Sequence, residues 1–159
     1  MRLTDYTDYA FKVLMYLAIH RNRLVTVQEI ASAHQIPRSQ IAKVVHRLGR
    51  AGLLDTSRGR GGGMRLGVAP DAIRLGDVAR LAESDFTVVE CFNDASNQCR
   101  LSPVCVLKHV LAAATAAYLQ QLDQLTLDDI VAGEGPATAQ SRAAGMPGPG
   151  FRQERDSYR

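Results

Sequence analysis

The chain lacks any stretch near the roughly 18 uncharged apolar residues that a bilayer-crossing helix needs, so no membrane span is expected. Its start, MRLTDYTDYAF, has acids where a secretory signal has a basic region followed by an apolar one, and a cytoplasmic location is expected. Paired catalytic acids and a nucleophile beside a base are both missing, and the glycines of 59–63 lead into a strand-like segment, not the helix that a phosphate-cradling loop requires. An enzyme is therefore not expected. Cysteine is scarce as well: three in 159 residues, an odd number that argues against a disulfide framework and, in a reducing compartment, raises metal binding or redox chemistry.

What is present divides the chain in two. Residues 1–65 hold 11 Lys and Arg against 4 Asp and Glu, a net of +7, whereas residues 66–159 hold 8 against 12, a net of −4. The first part has the balance of a polyanion binder, and the rest is free to pack on a second subunit or a cofactor. The three cysteines, Cys91, Cys99 and Cys105, lie in this second part, separated by seven and five residues, with Asn93, Asp94 and Pro103 interrupting regular structure. A loop of this kind can wrap a metal cluster. Buried free thiols are the competing reading for any one of them.

Helical spacing appears first at Phe11, Leu14, Met15 and Ala18, with Thr4 or Thr7 as the cap. Thr26 with Glu29 three residues on forms a capping box that opens a second helix. Ile36-Pro37 breaks that helix and starts a third, whose buried stripe is Ile41, Val44, Val45 and Leu48. Two short helices around a tight turn make a helix-turn-helix. On the third helix Arg38, Ser39 and Gln40 have the reach and chemistry to read base edges, while Lys43, Arg47 and Arg50 suit phosphates; Gln28 on the second helix joins the DNA-contact set. A solvated polar face is the alternative. A strand after Leu53, the turn Arg58-Gly59-Arg60-Gly61-Gly62-Gly63 and a return at Met64-Arg65-Leu66 read as a β-hairpin wing, with Arg58 and Arg60 at its tip.

Further on, a turn and short helix over 69–81 offer only packing, with Ile73, Val78 and Leu81 apolar. A longer helix presents Leu107, Leu111, Ala114, Tyr118, Leu122 and Leu125 at steps of three and four, with alanines between them that allow close approach. It suits dimerisation. The expected fold is mainly α with a small β wing: a winged helix-turn-helix over 1–82, a cysteine loop over 83–106, a dimerisation helix over 103–130 and a disordered Gly/Pro-rich tail over 133–159.

IPRSQIAKVVHRLGRAGLLDTSRGRGGGMRL, preceded by MRLTDYTDYAFKVLMYLA and followed by three cysteines after VVECF, resembles the Rrf-two family of winged-helix regulators over roughly residues 1–130. The resemblance implies a homodimer with an iron-sulfur cluster on each subunit and cluster-dependent binding to inverted-repeat operators in double-stranded DNA. A cluster needs about four protein ligands, and only three cysteines exist. In one branch of the family a histidine follows the third cysteine by three positions; here that position is Lys108, and His109 lies one residue further, about 100° around a helix. In the nitric-oxide-sensing branch an aspartate of the partner's N-terminal helix ligates a 4Fe-4S cluster, and Asp8 occupies the matching place. An ion pair with Lys12 is the plainer role for Asp8. The seven-residue first gap is longer than the family's usual spacing. The leading expectation is a repressor that releases DNA when nitric oxide attacks its 4Fe-4S cluster; the alternatives are a 2Fe-2S regulator of cluster supply or redox state, and a zinc-stabilised DNA-binding module.

Overall fold

The computed structural model describes residues 3–59, 61–101 and 104–132; Arg60, Pro103 and the expected tail over 133–159 lie outside them. Helix α1 (Asp5–Ile19) starts at Thr4, whose hydroxyl accepts from the Thr7 amide at 3.3 Å, and Asp5 and Asp8 in its first turn complement the helix dipole. The expected helical period is present, but its phase is rotated. Ala10, Val13, Leu14, Leu17 and Ala18 are buried, while Phe11 and Met15 are only partly covered. The shift follows from α1's place at the centre of the fold, where it packs against α3 (Arg38–Arg50), α4 (Leu75–Ala82) and α6 (Leu127–Ala132) together.

Helix α2 (Val27–His34) is opened by the expected capping box: the Glu29 amide donates to the Thr26 hydroxyl at 3.2 Å, and the Glu29 carboxylate accepts from the Thr26 backbone. It closes on Gln35, a left-handed residue (φ 54°) whose amide reaches the Ala31 and Ser32 carbonyls. The Ile36 amide then bonds to the Ala31 carbonyl at 3.0 Å, and Pro37 starts α3. The buried stripe of α3 is Ile41, Val44, Val45 and Leu48, as the spacing predicts.

The wing is an antiparallel pair, β1 (Leu54–Ser57) and β2 (Gly63–Leu66), in register Leu54↔Leu66 to Ser57↔Gly63. An unforeseen third segment joins it: Val25 exchanges two backbone hydrogen bonds with Met64, at 2.9 and 2.8 Å. Gly63 makes room for this, because a Cβ there would stand 2.8 Å from the Val25 carbonyl oxygen. The wing is thereby stitched to the segment just before α2, which fixes its position relative to the helix-turn-helix.

Helix α5 (Val106–Asp123) is shorter than the 103–130 span expected from the apolar spacing. Its end is locked onto α4: Arg80 forks onto both carboxylate oxygens of Asp123 at 2.6 and 2.7 Å, and Arg74 reaches the Asp123 carbonyl at 2.9 Å. Asp123 occupies the space that a side chain at Gly76 would need. The chain then bonds back through the Leu127 amide to the Ile73 carbonyl at 2.8 Å and forms α6, which buries Leu127 completely. No residue of α5 is buried, and Val106, Leu107 and Val110 are 74%, 61% and 56% exposed.

Candidate DNA interface and cysteine loop

A helix that buries Ile41, Val44, Val45 and Leu48 turns Ser39, Lys43, His46 and Arg50 directly outward, since successive residues advance by about 100°. All four are exposed, as are Arg38, Gln40 and Arg47 on the flanks. His46 thus belongs to the central outward row as well. Arg47 sits differently: its guanidinium lies over the Tyr6 ring of α1, 5.3 Å from the centroid, a contact that sequence spacing could not reveal. Gln28 is exposed on α2, where its amide donates to the Ser32 hydroxyl at 3.2 Å. Arg58 is exposed in the wing turn; Arg60 lies outside the described residues.

Electrostatics suit a phosphate backbone. The first turn of α3 contains no acid and no side chain caps it, so its leading amides are available to an anion. Between Tyr9 and Leu54 the only acid is Glu29, and its charge is already engaged: Arg23 pairs with the carboxylate and the Tyr16 hydroxyl donates to it at 3.0 Å. The Arg23 hydrogen bond is the main reason its carboxyl titrates at about 2, below the usual carboxylate value. Along α2 and α3 no other carboxylate stands against incoming phosphates.

The cysteines are carried by a different kind of structure. Cys91 is buried in a 3-10 turn (Glu90–Phe92), Cys99 is half-buried with its amide on the Asn97 side chain at 2.9 Å, and Cys105 is half-buried at the N-cap of α5. All three are free thiols. Among the described residues no three His, Cys, Asp or Glu side chains stand together in a metal-binding arrangement. Three thiols remain the donor set that iron-sulfur clusters and zinc favour. The hydrogen bonds described within 84–104 run only two or three positions along the chain, as at Thr87 to Asp85 and Ala95 to Asn93.

Two expected details resolve locally. Asp8 is exposed on α1 and accepts from Lys12 at 2.6 Å. Lys108 lies 3.7 Å from Asp94 of the loop, and His109 is exposed. A residue that sequence reasoning missed is Glu83, which caps the end of α4 and bonds to Thr4 and Thr7 at the start of α1. A separation of 76 to 79 positions left no pattern by which to find it.

Three helices followed by a two-stranded hairpin, with a polar outward row on the third helix, define a winged helix-turn-helix DNA-binding protein. The family model for Rrf2, described as an iron-dependent transcriptional regulator, matches residues 3–133, and the chain belongs to that family. It is 51% identical over 132 residues to the HTH-type transcriptional regulator NsrR of Bacillus licheniformis, spanning 82% of this chain and 92% of that one. Its identity to the regulator of the same name from Bacillus subtilis is 49% over 132 residues, spanning 82% and 90%. Among solved structures, CymR (YrzC), the global cysteine regulator of B. subtilis, superposes with a TM-score of 0.63 at 25% identity over 84% of this chain and 98% of that one. IscR of T. potens, at 22% identity, shares the fold with a TM-score of 0.67 over 92% and 93%. The protein is a transcriptional regulator of the NsrR/Rrf2 type and not an enzyme. No helix among the described residues is long and apolar enough to cross a membrane.

Proposed function

We propose that this regulator is a cytoplasmic homodimeric repressor that holds inverted-repeat operators and releases them when nitric oxide reacts with an iron-sulfur cluster of the 4Fe-4S type. Cys91, Cys99 and Cys105 would hold the cluster, with Asp8 of the partner subunit as the fourth ligand. The observation that carries this reading is the set of three free thiols on one locally bonded loop, directly ahead of a helix with no buried residue. The family's description as iron-dependent and the NsrR relatives support it.

When bound, the cluster supplies iron-thiolate bonds that nitric oxide can attack. The chain's own residues do the rest. The exposed Val106, Leu107 and Val110 give the second subunit an apolar strip to cover, which fixes the spacing of the two α3 helices to successive turns of the duplex. Ser39, Lys43, His46 and Arg50, flanked by Arg38, Gln40 and Arg47 and assisted by Gln28, Arg58 and Arg60, contact bases and phosphates. Asp8 can leave Lys12 at little cost, since an exposed pair of this spacing contributes only about 0.3–0.5 kcal/mol. A carboxylate is also a harder, weaker partner for iron than a thiolate, which makes that corner the natural entry for a small reactive molecule.

Anaerobic purification with iron, sulfide and native-mass measurement, followed by nitric-oxide titration in a DNA-shift assay, tests this. Four irons and four sulfides per subunit in a dimer that loses DNA on titration are expected. Two of each would point to the 2Fe-2S regulator. Zinc without sulfide, or DNA binding indifferent to nitric oxide, would overturn the proposal.

A further inference from the structure

Glu83 has no part in the reading above, yet it occupies the joint between the two halves of the molecule. It is the C-cap of α4, with extended backbone (φ −77°, ψ 147°), and the cysteine loop begins at the next residue. One carboxylate oxygen, Oε1, accepts from the Thr4 amide at 2.8 Å, the Thr4 hydroxyl at 3.1 Å and the Thr7 hydroxyl. Thr7 is 0% exposed and is the one buried polar residue among the described residues. The two hydroxyls also lie 3.2 Å from each other, so Glu83 closes a three-residue clasp, and a buried hydroxyl left with fewer partners disfavours its opening.

What the clasp holds is the turn of α1 that matters most. Thr4 is its cap, Tyr6 lies beneath the Arg47 guanidinium of α3, and Asp8 follows directly. A single carboxylate therefore ties the root of the cysteine loop to the segment that supports the DNA-reading helix and bears Asp8.

We propose that Glu83 is a positioning residue that makes the first turn of α1, and through Tyr6 and Arg47 the reading face of α3, respond to the state of the cysteine loop. The inference rests on the cluster-dependent reading of that loop. With the loop closed on iron, the backbone leaving Glu83 is held and the clasp stays made. Once the thiols are released, the backbone leaving Glu83 is free to move, the Thr4 amide can lose its acceptor while the Thr4 and Thr7 hydroxyls keep each other, and the start of α1 and the aromatic support of Arg47 loosen. A hydrogen-bonded joint whose equilibrium both sites bias can carry energetic coupling between them.

The test is backbone hydrogen exchange, read by mass spectrometry over 4–10 and 38–50, on the full chain loaded anaerobically with iron and sulfide and again after chelator stripping. In the unmodified chain, stripping is expected to speed exchange over 4–10 by about tenfold or more, the signature of local opening. Glu83→Ala should exchange fast in both states, and Glu83→Gln, which keeps an acceptor, should restore most of the difference. Thr7→Val removes the buried donor while keeping its shape and leaves the loop root untouched; it should shrink the difference, and it decides the matter if the alanine variant does not fold. A chain that takes up no iron and sulfide would overturn the reading of the loop and this inference together. A loaded chain whose exchange over 4–10 ignores stripping, or variants that keep the full response, would overturn the inference alone.

Discussion

Between Ala10 and Ala82 the helices share one buried cluster, from Val13 and Leu14 through Ile41 and Leu48 to Val78, and backbone bonds such as Val25 to Met64 join distant segments. Between residues 84 and 104 the described hydrogen bonds are turns and side-chain caps spanning two or three positions. The first region is fixed by burial. The described bonds of the second are local, and its three thiols are free. On the proposed reading this division is functional: the part that reads DNA is rigid so that its half-site spacing is fixed, and the part proposed to sense has more than one arrangement within reach.

The largest way to test the contrast is to alter one side chain in each region. Leu48, 1% exposed in the cluster, should cost about 2–5 kcal/mol when cut to alanine, enough to lower the urea midpoint sharply. Cys99→Ser in the iron-free chain should shift stability by less than about 0.5 kcal/mol, and on the proposed reading the same variant, loaded anaerobically, should take up little iron. Comparable losses of stability from the two would mean that the loop is as firmly built as the core.

A second substitution probes the stitch that fixes the wing. Gly63→Val places a side chain against the Val25 carbonyl, 2.8 Å from where its Cβ would stand. The cost expected is about 1–3 kcal/mol, with weaker DNA binding read by a shift assay while native mass is unchanged. A variant that binds as before would show that the third segment does not hold the wing in place.

The same division explains what could be read in advance. The α3 stripe, the Thr26 and Glu29 capping box and the hairpin were legible because each rests on spacings of a few residues, where helical period and glycine chemistry dominate. The phase of α1 was missed, since which face is buried depends on three helices arriving from elsewhere in the chain. The single long helix expected over 103–130 overlooked α6, whose start is set by a reciprocal bond between Thr126 and Asp129 and by Ile73, far back in sequence. The candidate site divides likewise: the outward residues of α3 followed from periodicity, whereas Glu83 on Thr4 and Thr7, and Arg47 on Tyr6, are tertiary facts with no local signal.

A smaller effect lies at the start of α2. Thr26→Ala removes a cap worth about 1 kcal/mol, and its consequence should stay within the DNA-binding region, leaving iron uptake unchanged. The carboxyl of Glu29 in the same box is lowered from 4.5 to about 2, chiefly by Arg23. A depressed carboxyl stabilises the fold fully above its unfolded value, so this contribution is present above about pH 4.5 and is lost as pH falls through about 2. Acid titration of the Glu29→Gln variant, followed by circular dichroism, should show less loss of stability across that window than the unmodified chain.

The smallest expected change in stability is the most discriminating for function. Lys12→Ala removes the 2.6 Å partner of Asp8, an exposed pair four residues apart, and should cost the iron-free chain only about 0.3–0.5 kcal/mol. If Asp8 serves only its own helix, the effect ends there. If it ligates iron across the dimer, freeing it from Lys12 changes the competition for the carboxylate, and the loaded dimer should hold its iron against a chelator at least as long as before, while Asp8→Asn sheds it faster with an unchanged melting midpoint in the iron-free state. Equal chelator half-lives for the loaded unmodified and Asp8→Asn proteins would assign Asp8 to the rigid region alone and place the fourth ligand of the proposed cluster elsewhere.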